Sequence, residues 1–327
     1  MAKGKANKNN YSGVEAVPGA MRFSHDAMAT TFEILILDKE YKYAGQAAQA
    51  AFAELDRLEA ELSRFVENSD VSRINNAGLN KEVVVGLEVF ECLQKAKRIY
   101  EETGGAFDIT VGSLMSCWLD KDKKLRKPGK KEVDEAKKRT GMNLLELDER
   151  WYTVKVLTEG VHVDIGGIGK GYALDKMGEI LCEWGVERAL VHGGGSTVFA
   201  MQGPDRMKGW PVTLSAPADR KKRLAKIFLQ DCTVSGSGLA HGQHIIDPRK
   251  GKPIEGRVSA WSSAPDGASA DALSTAFMVM KPEEIERYCG KKPDVCAMIV
   301  IREKKGQTTE DIVLRYGRWK EDDTAGG

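Results

Sequence analysis

The sequence predicts an α+β fold with antiparallel sheets and packed helices. Two long helical patterns occupy the first third of the chain, and a hairpin pattern follows at 144–157. From residue 188 onward, short strand patterns follow one another with few helices between them. Runs of strands with few intervening helices are typical of α+β proteins, whose sheets are antiparallel.

The first part of the chain supplies one strand and two long helices. Residues 31–37 are rich in β-branched and aromatic side chains and predict a strand. Apolar residues recur three or four positions apart from Ala44 to Phe65, which predicts a helix over 40–65 with a continuous buried stripe. A second helix is predicted at about 87–102, where two glycines end it.

The remaining predicted elements are shorter. Asp108 and Thr110 lie two positions apart, so an extended conformation would point both side chains to one face. A short helix is predicted after Pro128 and Gly129. Further strands are predicted at 144–148, 151–157, 188–191, 197–201, 210–215, 224–229, 232–235, 244–246, 258–263 and 295–301, and further helices at 171–184, 269–280 and 283–288.

Composition limits the class of function. The chain has 327 residues, and its 49 Lys and Arg against 48 Asp and Glu leave a net charge of +1. A nearly neutral chain has no overall field that would attract nucleic acid or an anionic membrane. A discrete small-molecule site is therefore expected.

We expect one principal domain over residues 21–303. Residues 1–20 are polar and basic and predict a disordered lead, and residues 304–327 are predicted to form a C-terminal strand and tail. The lead lacks the apolar run of a signal peptide or a membrane span. The expected location is cytoplasmic without membrane insertion, or periplasmic if the sequence has been trimmed.

The stretch HVDIGGIGKGYALD at 162–175 carries four glycines and Lys170 between an extended segment and a helix. Without Cβ atoms, backbone N–H groups at these glycines can approach a ligand closely, and the lysine adds a cation, which is typical of a phosphate site. The stretch is no Walker A loop, because Gly171 follows Lys170 where Ser or Thr is needed. The alternative is a tight turn that holds no ligand.

Asp271 and Thr275 are four positions apart in a predicted helix and therefore share one face. Both offer hard oxygen ligands, and magnesium is commonly held by one or two carboxylates together with substrate phosphates. The alternative is structural: Ser269 would cap the helix and Asp271 would complement its dipole.

His244 opens the segment HIIDPRKG, in which Asp247 and Pro248 predict a turn. An imidazole at this position is suited to act as a general base. Zinc bound by His241, His244 and Asp247 is a weaker alternative, because three ligands within seven residues do not obviously converge. A hydrogen-bonded histidine without a catalytic role is the remaining alternative.

Several stretches together resemble one family, and they occur in the family's order. They are MATTF (28–32), LSRFVENSDVSRIN (62–75), GAFDIT (105–110), DIGGIGKGYA (164–173), HIIDP (244–248) and ADALST (270–275). The sequence is similar here to the ApbE family of FAD:protein FMN transferases, over roughly residues 20–303.

The resemblance implies a T-fold-like ApbE fold, with FAD held between two halves and Mg²⁺ on its pyrophosphate. It implies transfer of FMN from FAD to a threonine or serine hydroxyl of an acceptor protein, with release of AMP. Asp271 and Thr275 would be the metal ligands together with the backbone carbonyl of Gly167. Asp271 would thereby serve catalysis, and His244 matches the family's proposed base.

The resemblance also implies a set of residues that contact FAD. Lys170 and the loop amides would face the phosphates, and Met28, Phe107 and Asp108 lie on motifs that line the pocket. The full set is Met28, Phe107, Asp108, Gly166, Gly167, Lys170, Gly194 and His244.

The sequence departs from the family pattern in a few places. Ala29 stands where the family has glycine, and residues 235–243 are shorter and less aromatic than usual. Two other functions use the same residues: a magnesium-dependent FAD pyrophosphatase that releases FMN and AMP, and a non-catalytic FAD-binding protein.

Overall fold

The structure is a computed structural model that describes residues 12–121, 124–216, 223–239, 245–305 and 308–320. The strands are β1 (Ser12–Val14), β2 (Met21–Ala27), β3 (Thr30–Ile36), β4 (Glu82–Val84), β5 (Leu145–Asp148), β6 (Thr153–Val156), β7 (Ala189–Gly193), β8 (Thr197–Ala200), β9 (Trp210–Ser215), β10 (Arg223–Leu229), β11 (Cys232–Gly238), β12 (Ile246–Asp247), β13 (Lys252–Pro253), β14 (Arg257–Ala264), β15 (Cys296–Lys305) and β16 (Thr308–Tyr316). The helices are α1 (Tyr41–Leu62), α2 (Asp70–Asn75), α3 (Leu87–Glu102), α4 (Gly112–Trp118), α5 (Lys130–Lys138), α6 (Gly169–Glu183), α7 (Gly267–Val279) and α8 (Pro282–Lys291), and a 3₁₀ turn covers Met142–Leu144.

An eight-stranded sheet forms the centre of the fold, in the order β16-β15-β14-β11-β8-β7-β3-β2. Each neighbouring pair of these strands is antiparallel. Two three-stranded sheets, β1-β9-β10 and β4-β6-β5, and the β12-β13 pair complete the strand pairing of the described residues. The predicted α+β class with antiparallel sheets is confirmed.

The central sheet separates two hydrophobic cores. Along β3, Ile34 belongs to the core that contains α1, α3, α6 and α7, whereas Leu35 belongs to the core shared with β9 and β10. Successive side chains of a strand point to opposite faces, so a helical layer covers one face and a small sheet covers part of the other. Both faces are buried, which explains the nearly continuous apolar run of β3.

Helices α6 and α7 cross where both carry glycine. A Cβ on Gly171 would lie 1.9 Å from the carbonyl oxygen of Gly267, and a Cβ on Gly267 would lie 2.3 Å from the carbonyl oxygen of Gly171. The two backbones can approach this closely only without side chains. The crossing brings the loop that precedes α6 against the first turns of α7.

The end of the first helix differs from the prediction. Helix α1 ends at Leu62, because Ser63 has an extended backbone, and the short helix α2 begins after Ser69, whose side chain accepts a hydrogen bond from the Ser72 amide. Phe65, predicted to complete the buried stripe, is 79% exposed. The stripe itself continues only to Leu62, which is buried.

Two sheet edges also differ from the sequence prediction. Strand β1 lies within residues predicted to be a disordered lead; it pairs with β9, and the Glu15 carboxylate accepts a hydrogen bond from Thr213 and pairs with Lys226. Near the other end, β15 continues to Lys305 and pairs with β16, so the predicted C-terminal strand extends the central sheet. Pairing with β9, which is distant in sequence, stabilises β1, and composition does not reveal such a partner; β15 and β16, by contrast, are consecutive strands.

Within the described residues, no helix is both long and apolar enough to cross a membrane.

Candidate active site

The Asp271 carboxylate is the centre of the site at the crossing of α6 and α7. It is 4% exposed, and its Oδ2 accepts a hydrogen bond from the Gly171 amide at 3.1 Å. Its Oδ1 accepts one from the Ser235 hydroxyl at 3.0 Å, and the Lys170 Nζ lies 3.7 Å from Oδ2. A buried carboxylate is therefore oriented by α6 and β11 and has one cation beside it.

Thr275 lies one turn after Asp271 on α7, as the spacing predicted. Its Oγ1 is 3.2 Å from the Ser237 hydroxyl of β11. A Cβ on Gly167 would lie 3.1 Å from Thr275 Oγ1 and 3.2 Å from Phe107 Cε2. The glycine loop, the Thr275 hydroxyl and the Phe107 ring therefore meet, and Gly167 leaves the space that they share.

Two serines of β11 contact the site and were missed by sequence reasoning. Ser235 and Ser237 are two positions apart and face α7 together, and Thr197 donates to or accepts from Ser235 at 2.9 Å. The predicted strand stopped at Ser235, but β11 continues to Gly238. The alternating Ser-Gly-Ser-Gly pattern was the signal available in the sequence, because it places both serines on one face of a strand. Only the register of β11 in the sheet shows that this face is turned toward α7.

The structural alternative for Asp271 is wrong. The N-cap of α7 is Asp266, whose side chain accepts a hydrogen bond from the Ser269 amide at 3.0 Å. Helix α7 therefore begins two residues before Ser269, so Ser269 is not its cap and Asp271 lies beyond its first turn. Capping does not require Asp271, whose carboxylate contacts other elements.

The segment 62–76 fixes the glycine loop. The Asn75 side chain donates to the Val163 carbonyl at 2.9 Å and accepts from the Val163 amide at 2.6 Å. Arg64 pairs with Asp164 at 3.1 Å, and the Asp164 carboxylate accepts from the Gly166 amide at 2.8 Å. The Gly166 amide therefore holds the turn together, which differs from the expectation that this amide faces a ligand.

Lys170 bends back over its own loop. Its Nζ is 3.4 Å from the Gly166 carbonyl oxygen in addition to its proximity to Asp271. The side chain is 27% exposed, so the ammonium lies between the buried carboxylate and solvent. It is therefore a cation that an anionic group approaching the loop can meet.

Asp108 lies in a turn and not in the extended conformation considered above. Its Oδ1 accepts from both the amide and the hydroxyl of Thr110, at 2.8 and 2.6 Å, and the Thr110 hydroxyl accepts from the Gly141 amide at 2.6 Å. Burial raises the pKa of Asp108 to about 6, although the bonds from Thr110 oppose this shift. The turn presents the neighbouring Phe107 to Gly167.

Met28 and Gly194, two of the residues predicted to contact FAD, lie at the connection between β2 and β3. Met28 and Ala29 form the two-residue connection between β2 and β3, and a Cβ on Gly194 would lie 2.6 Å from Thr30 Oγ1. The connection lines an open cleft of about 450 Å³ together with Asp26 and Glu59. Gly194 has a φ of +61°, so both its conformation and its space favour glycine.

The connection between β2 and β3 contains a strained residue. Met28 and Ala29 have φ values of +49° and +57°, which is the type I′ hairpin geometry that favours glycine at the second position. Replacing Ala29 by glycine is expected to raise the free energy of unfolding by about 0.5–1 kcal/mol, because relief of left-handed strain exceeds the added chain entropy. Urea denaturation measures this change. Ala77→Gly, where φ is not positive, should lower stability; a decrease for Ala29→Gly would contradict the prediction.

His244 and His241 lie outside the described residues, so the base and zinc hypotheses for them stay predictions. The adjoining turn is described. The Asp247 carboxylate accepts from the amides of Arg249 and Lys250, at 3.0 and 3.2 Å. Asp247 is therefore used by the turn that Asp247 and Pro248 predicted.

Asp175 joins α6 to α7 and was not singled out as a site residue. Its carboxylate accepts from the amides of Gly267 and Ala268, at 2.5 and 3.0 Å, at the N-terminus of α7. Burial raises its pKa to about 6 despite these two bonds. A carboxylate of one helix that accepts from the N-terminal amides of another gives no local sequence signal, since the two segments are about ninety residues apart.

The raised pKa of Asp175 predicts a pH dependence of stability. The folded state binds a proton between about pH 4 and 6 that the unfolded state does not, so this group's contribution to stability falls as pH rises through that window. Between pH 4 and 7, the change in the free energy of unfolding should be less negative in Asp175→Asn than in the wild type, by on the order of 1–3 kcal/mol. Urea titrations at both pH values measure the difference. Exposed Asp134→Asn should follow the wild type; a parallel pH profile for Asp175→Asn would contradict the prediction.

The donor set suits magnesium better than zinc. Among the described residues, no group of three or more His, Cys, Asp or Glu side chains could hold a metal ion. One carboxylate, one hydroxyl and a backbone carbonyl are hard oxygen donors, and magnesium completes such a set with water and phosphate oxygens. The Asp271 carboxylate and the Thr275 hydroxyl, one helical turn apart on α7, are donors of this kind.

The fold and the site define an α+β protein in which a buried carboxylate and a threonine face a glycine loop. The family model of the ApbE family matches residues 28–300. The chain belongs to the ApbE family, as the sequence motifs indicated, and the prediction of a transferase enzyme is confirmed.

Curated relatives match most of the chain. The FAD:protein FMN transferase of Salmonella typhimurium is 27% identical over 311 residues, which cover 90% of this chain and 88% of that protein. The protein of the same name from Treponema pallidum is 26% identical and covers 95% of this chain and 90% of its own length.

Solved structures agree in fold. The ApbE protein of Thermotoga maritima matches with a TM-score of 0.77 and 29% identity, covering 89% of this chain and 96% of that chain. The flavin transferase ApbE from Vibrio cholerae has the same TM-score at 23% identity, with 90% and 97% coverage, and supports the fold alone. The predicted ApbE fold is thereby confirmed.

Proposed function

We propose that this protein transfers FMN from FAD to a threonine or serine hydroxyl of an acceptor protein and releases AMP. The observation that carries the proposal is the buried Asp271 carboxylate, held against the glycine loop with Thr275 beside it. The names of the curated relatives support FAD as donor and a protein as acceptor. A hydroxyl acceptor and magnesium dependence are parts of our proposal.

In the proposed reaction, the acceptor hydroxyl oxygen attacks the FMN-side phosphorus of FAD. The bond from that phosphorus to the bridging oxygen breaks, and AMP leaves with the electron pair of that bond. A neutral hydroxyl is a weak nucleophile, so a base must take its proton as the new bond forms. We assign that role to His244, which lies outside the described residues.

Asp271, Thr275 and the carbonyl of Gly167 would hold Mg²⁺, which supplies charge neutralisation for the pyrophosphate. Ser235 and Ser237 keep the Asp271 carboxylate and the Thr275 hydroxyl in their orientations. These hydrogen bonds fix the ligands before substrate binds, which reduces reorganisation during the reaction.

Lys170 would face the phosphates of FAD. Its ammonium now lies near the Asp271 carboxylate and the Gly166 carbonyl. A divalent cation on Asp271 would repel this ammonium, so we expect Lys170 to turn toward phosphate oxygens when the cation and FAD are bound.

The remaining proposed contacts hold the rest of FAD. Phe107 offers an apolar ring beside Gly167, and Asp108 fixes the turn that carries it. Met28 lines the cleft at the β2-β3 connection, and Gly194 lies against Thr30, which also lines it. We assign the contacts with FAD to Met28, Phe107, Asp108, Gly166, Gly167, Lys170, Gly194 and His244.

One incubation separates this function from its two alternatives. The protein is mixed with FAD and Mg²⁺, with and without an acceptor that carries an Asp-x-x-Thr type motif, and the same acceptor with Thr replaced by Val is the control. Flavin fluorescence on the first acceptor in a denaturing gel, lost with Val and with EDTA, supports transfer. FMN and AMP formed without any acceptor indicate a pyrophosphatase, and intact FAD bound to the protein indicates a binding protein.

A further inference from the structure

Three hydroxyl groups form a chain between α7 and β11. The Ser274 hydroxyl lies 2.8 Å from the backbone carbonyl oxygen of Asp271. The Ser237 hydroxyl lies 2.8 Å from that of Ser274 and 3.2 Å from that of Thr275. Ser274 has no exposed surface, so bulk water does not take part in its bonding. The chain therefore connects the main chain of Asp271 to the side chain of Thr275 through two serines.

The direction of every bond in this chain follows from its first member. A carbonyl oxygen can only accept, so Ser274 donates its single proton to Asp271. Ser274 then accepts from Ser237, whose own proton is used in that bond. Ser237 can therefore only accept from Thr275. The Thr275 hydroxyl gives its proton to β11 and keeps its lone pairs free.

The common arrangement of a helical threonine is replaced here. A threonine hydroxyl inside a helix often donates to the carbonyl four residues earlier, which for Thr275 is that of Asp271. This carbonyl instead accepts the Ser274 hydroxyl. The Thr275 hydroxyl also adjoins the glycine loop, since a Cβ on Gly167 would lie 3.1 Å from its Oγ1. The hydroxyl with free lone pairs is therefore the one that faces the loop.

The direction of the Thr275 proton matters for a cation. A neutral hydroxyl binds a cation through a lone pair, and its proton carries a partial positive charge that the cation repels. Hydrogen bonds that orient a metal ligand typically change metal affinity roughly 10–100-fold. A group that fixes this proton is therefore expected to affect affinity without being a ligand.

We propose that Ser274 is a positioning residue of the magnesium site, which acts through Ser237 to hold the Thr275 proton away from the cation. Without the Ser274 oxygen as its acceptor, the Ser237 proton turns toward Thr275, whose own proton is then free to face the cation. This inference rests on the proposed function, which assigns magnesium to Asp271 and Thr275. It adds a residue whose hydroxyl contacts only the groups that orient those ligands.

Binding of Mn²⁺ tests the proposal without any transfer reaction. Mn²⁺ takes the same hard oxygen ligands as magnesium, and the electron paramagnetic resonance signal of the free ion measures its binding to the whole protein with FAD and no acceptor. Ser274→Ala should weaken Mn²⁺ binding by roughly tenfold. Ser237→Ala should have an effect of the same size, and it is the second variant if Ser274→Ala does not fold, because Ser237 is only partly buried.

A double-mutant cycle separates positioning from a general structural effect. Thr275→Val removes the hydroxyl that Ser274 is proposed to orient. The double variant Ser274→Ala/Thr275→Val should therefore bind Mn²⁺ as Thr275→Val alone does, since the serine has nothing left to orient. A further tenfold loss in the double variant would overturn the proposal.

Ser262→Ala is the matched control. Ser262 of β14 is as buried as Ser274, and its hydroxyl also donates to a carbonyl of α7, that of Ala270. This variant should bind Mn²⁺ as the wild type does, even if its melting temperature falls as far as that of Ser274→Ala.

The outcomes for this inference and for the proposed function are distinct. Normal FMN transfer together with wild-type Mn²⁺ binding by Ser274→Ala would overturn this inference alone. The expected Mn²⁺ affinities without any transfer by the wild type would support this inference and contradict the proposed function. Absence of Mn²⁺ binding by the wild type would overturn the metal site and this inference together.

Discussion

Replacement of Asp271 by asparagine is expected to reduce FMN transfer by about a hundredfold or more. Asparagine retains an oxygen that accepts from the Gly171 amide, so the fold should persist while the negative charge is lost. The charge is what we propose to bind magnesium and, through it, to neutralise the pyrophosphate. Transfer is measured by flavin fluorescence on the acceptor over a series of Mg²⁺ concentrations.

Alanine at the same position should abolish measurable transfer and also destabilise the fold. It leaves the Gly171 amide and the Ser235 hydroxyl without their acceptor, which costs roughly 1–3 kcal/mol. The comparison of the two variants separates loss of charge from loss of structure.

Asp266→Asn is the matched control for these variants. It removes a carboxylate five positions earlier on the same chain segment, and asparagine caps a helix as well as aspartate does. Transfer by this variant should stay within about threefold of the wild type, because Asp266 caps α7 and pairs with Lys95 outside the proposed metal site. Nearly normal magnesium-dependent transfer by Asp271→Asn would remove Asp271 from the mechanism.

The elements that the sequence predicted best have strong local patterns. The periodicity of apolar residues gave α3 its observed bounds, and the β-branched run gave β3 within one residue at each end. Strand β1 has only three residues and depends on pairing with β9, two hundred positions away. Local pattern cannot report such pairing, because the partner strand supplies the hydrogen bonds.

The site was predictable where its residues share one element. The spacing of Asp271 and Thr275 on a helix gave their common face, and the glycine run gave a loop before α6. The contribution of Ser235 and Ser237 depends on the register of β11 in the central sheet, which spacing alone does not determine. Asp175 acts on the N-terminus of a different helix and is visible only after α6 and α7 are packed together.

Phe65 illustrates a limit of periodicity. It continues the three-or-four spacing of α1, but the helix ends before it, and its ring lies exposed with the Arg64 guanidinium 4.3 Å from its centre. Arg64 also pairs with Asp164, so the exposed ring adjoins the glycine loop. A residue that follows a core pattern can therefore belong to the surface near a site when the helix ends early.

Replacement of Gly171 by alanine is expected to cause the largest loss of stability among these substitutions. The new Cβ would lie 1.9 Å from the Gly267 carbonyl oxygen, 2.4 Å from its carbonyl carbon and 2.8 Å from Asp271 Cβ. Backbone atoms cannot rotate away as a flexible side chain can, so α6 and α7 must separate. We expect the free energy of unfolding to fall by about 3 kcal/mol or more, measured by urea denaturation.

The same separation should also lower FMN transfer in the fraction that remains folded. The Gly171 amide is a hydrogen-bond donor to Asp271, so moving α6 displaces the carboxylate relative to Gly167 and Thr275. A misplacement of about 1 Å in a catalytic group can reduce rate by on the order of a hundredfold. Gly267→Ala meets the same contact from α7, at 2.3 Å from the Gly171 carbonyl oxygen, and should give the same two losses.

Gly290→Ala in α8 is the control for a helical glycine that has space around it. Apart from neighbouring backbone of its own helix, no described atom lies within 4 Å of its added Cβ, and the position is exposed, so alanine should raise stability by about 0.5–1 kcal/mol and leave transfer unchanged. If Gly171→Ala were as stable and active as Gly290→Ala, the close crossing of α6 and α7 would not be what aligns the glycine loop with Asp271. A loss of stability and transfer in Gly171→Ala but not in Gly290→Ala would instead show that the catalytic geometry depends on that crossing. Only Gly171 lies where two backbones touch.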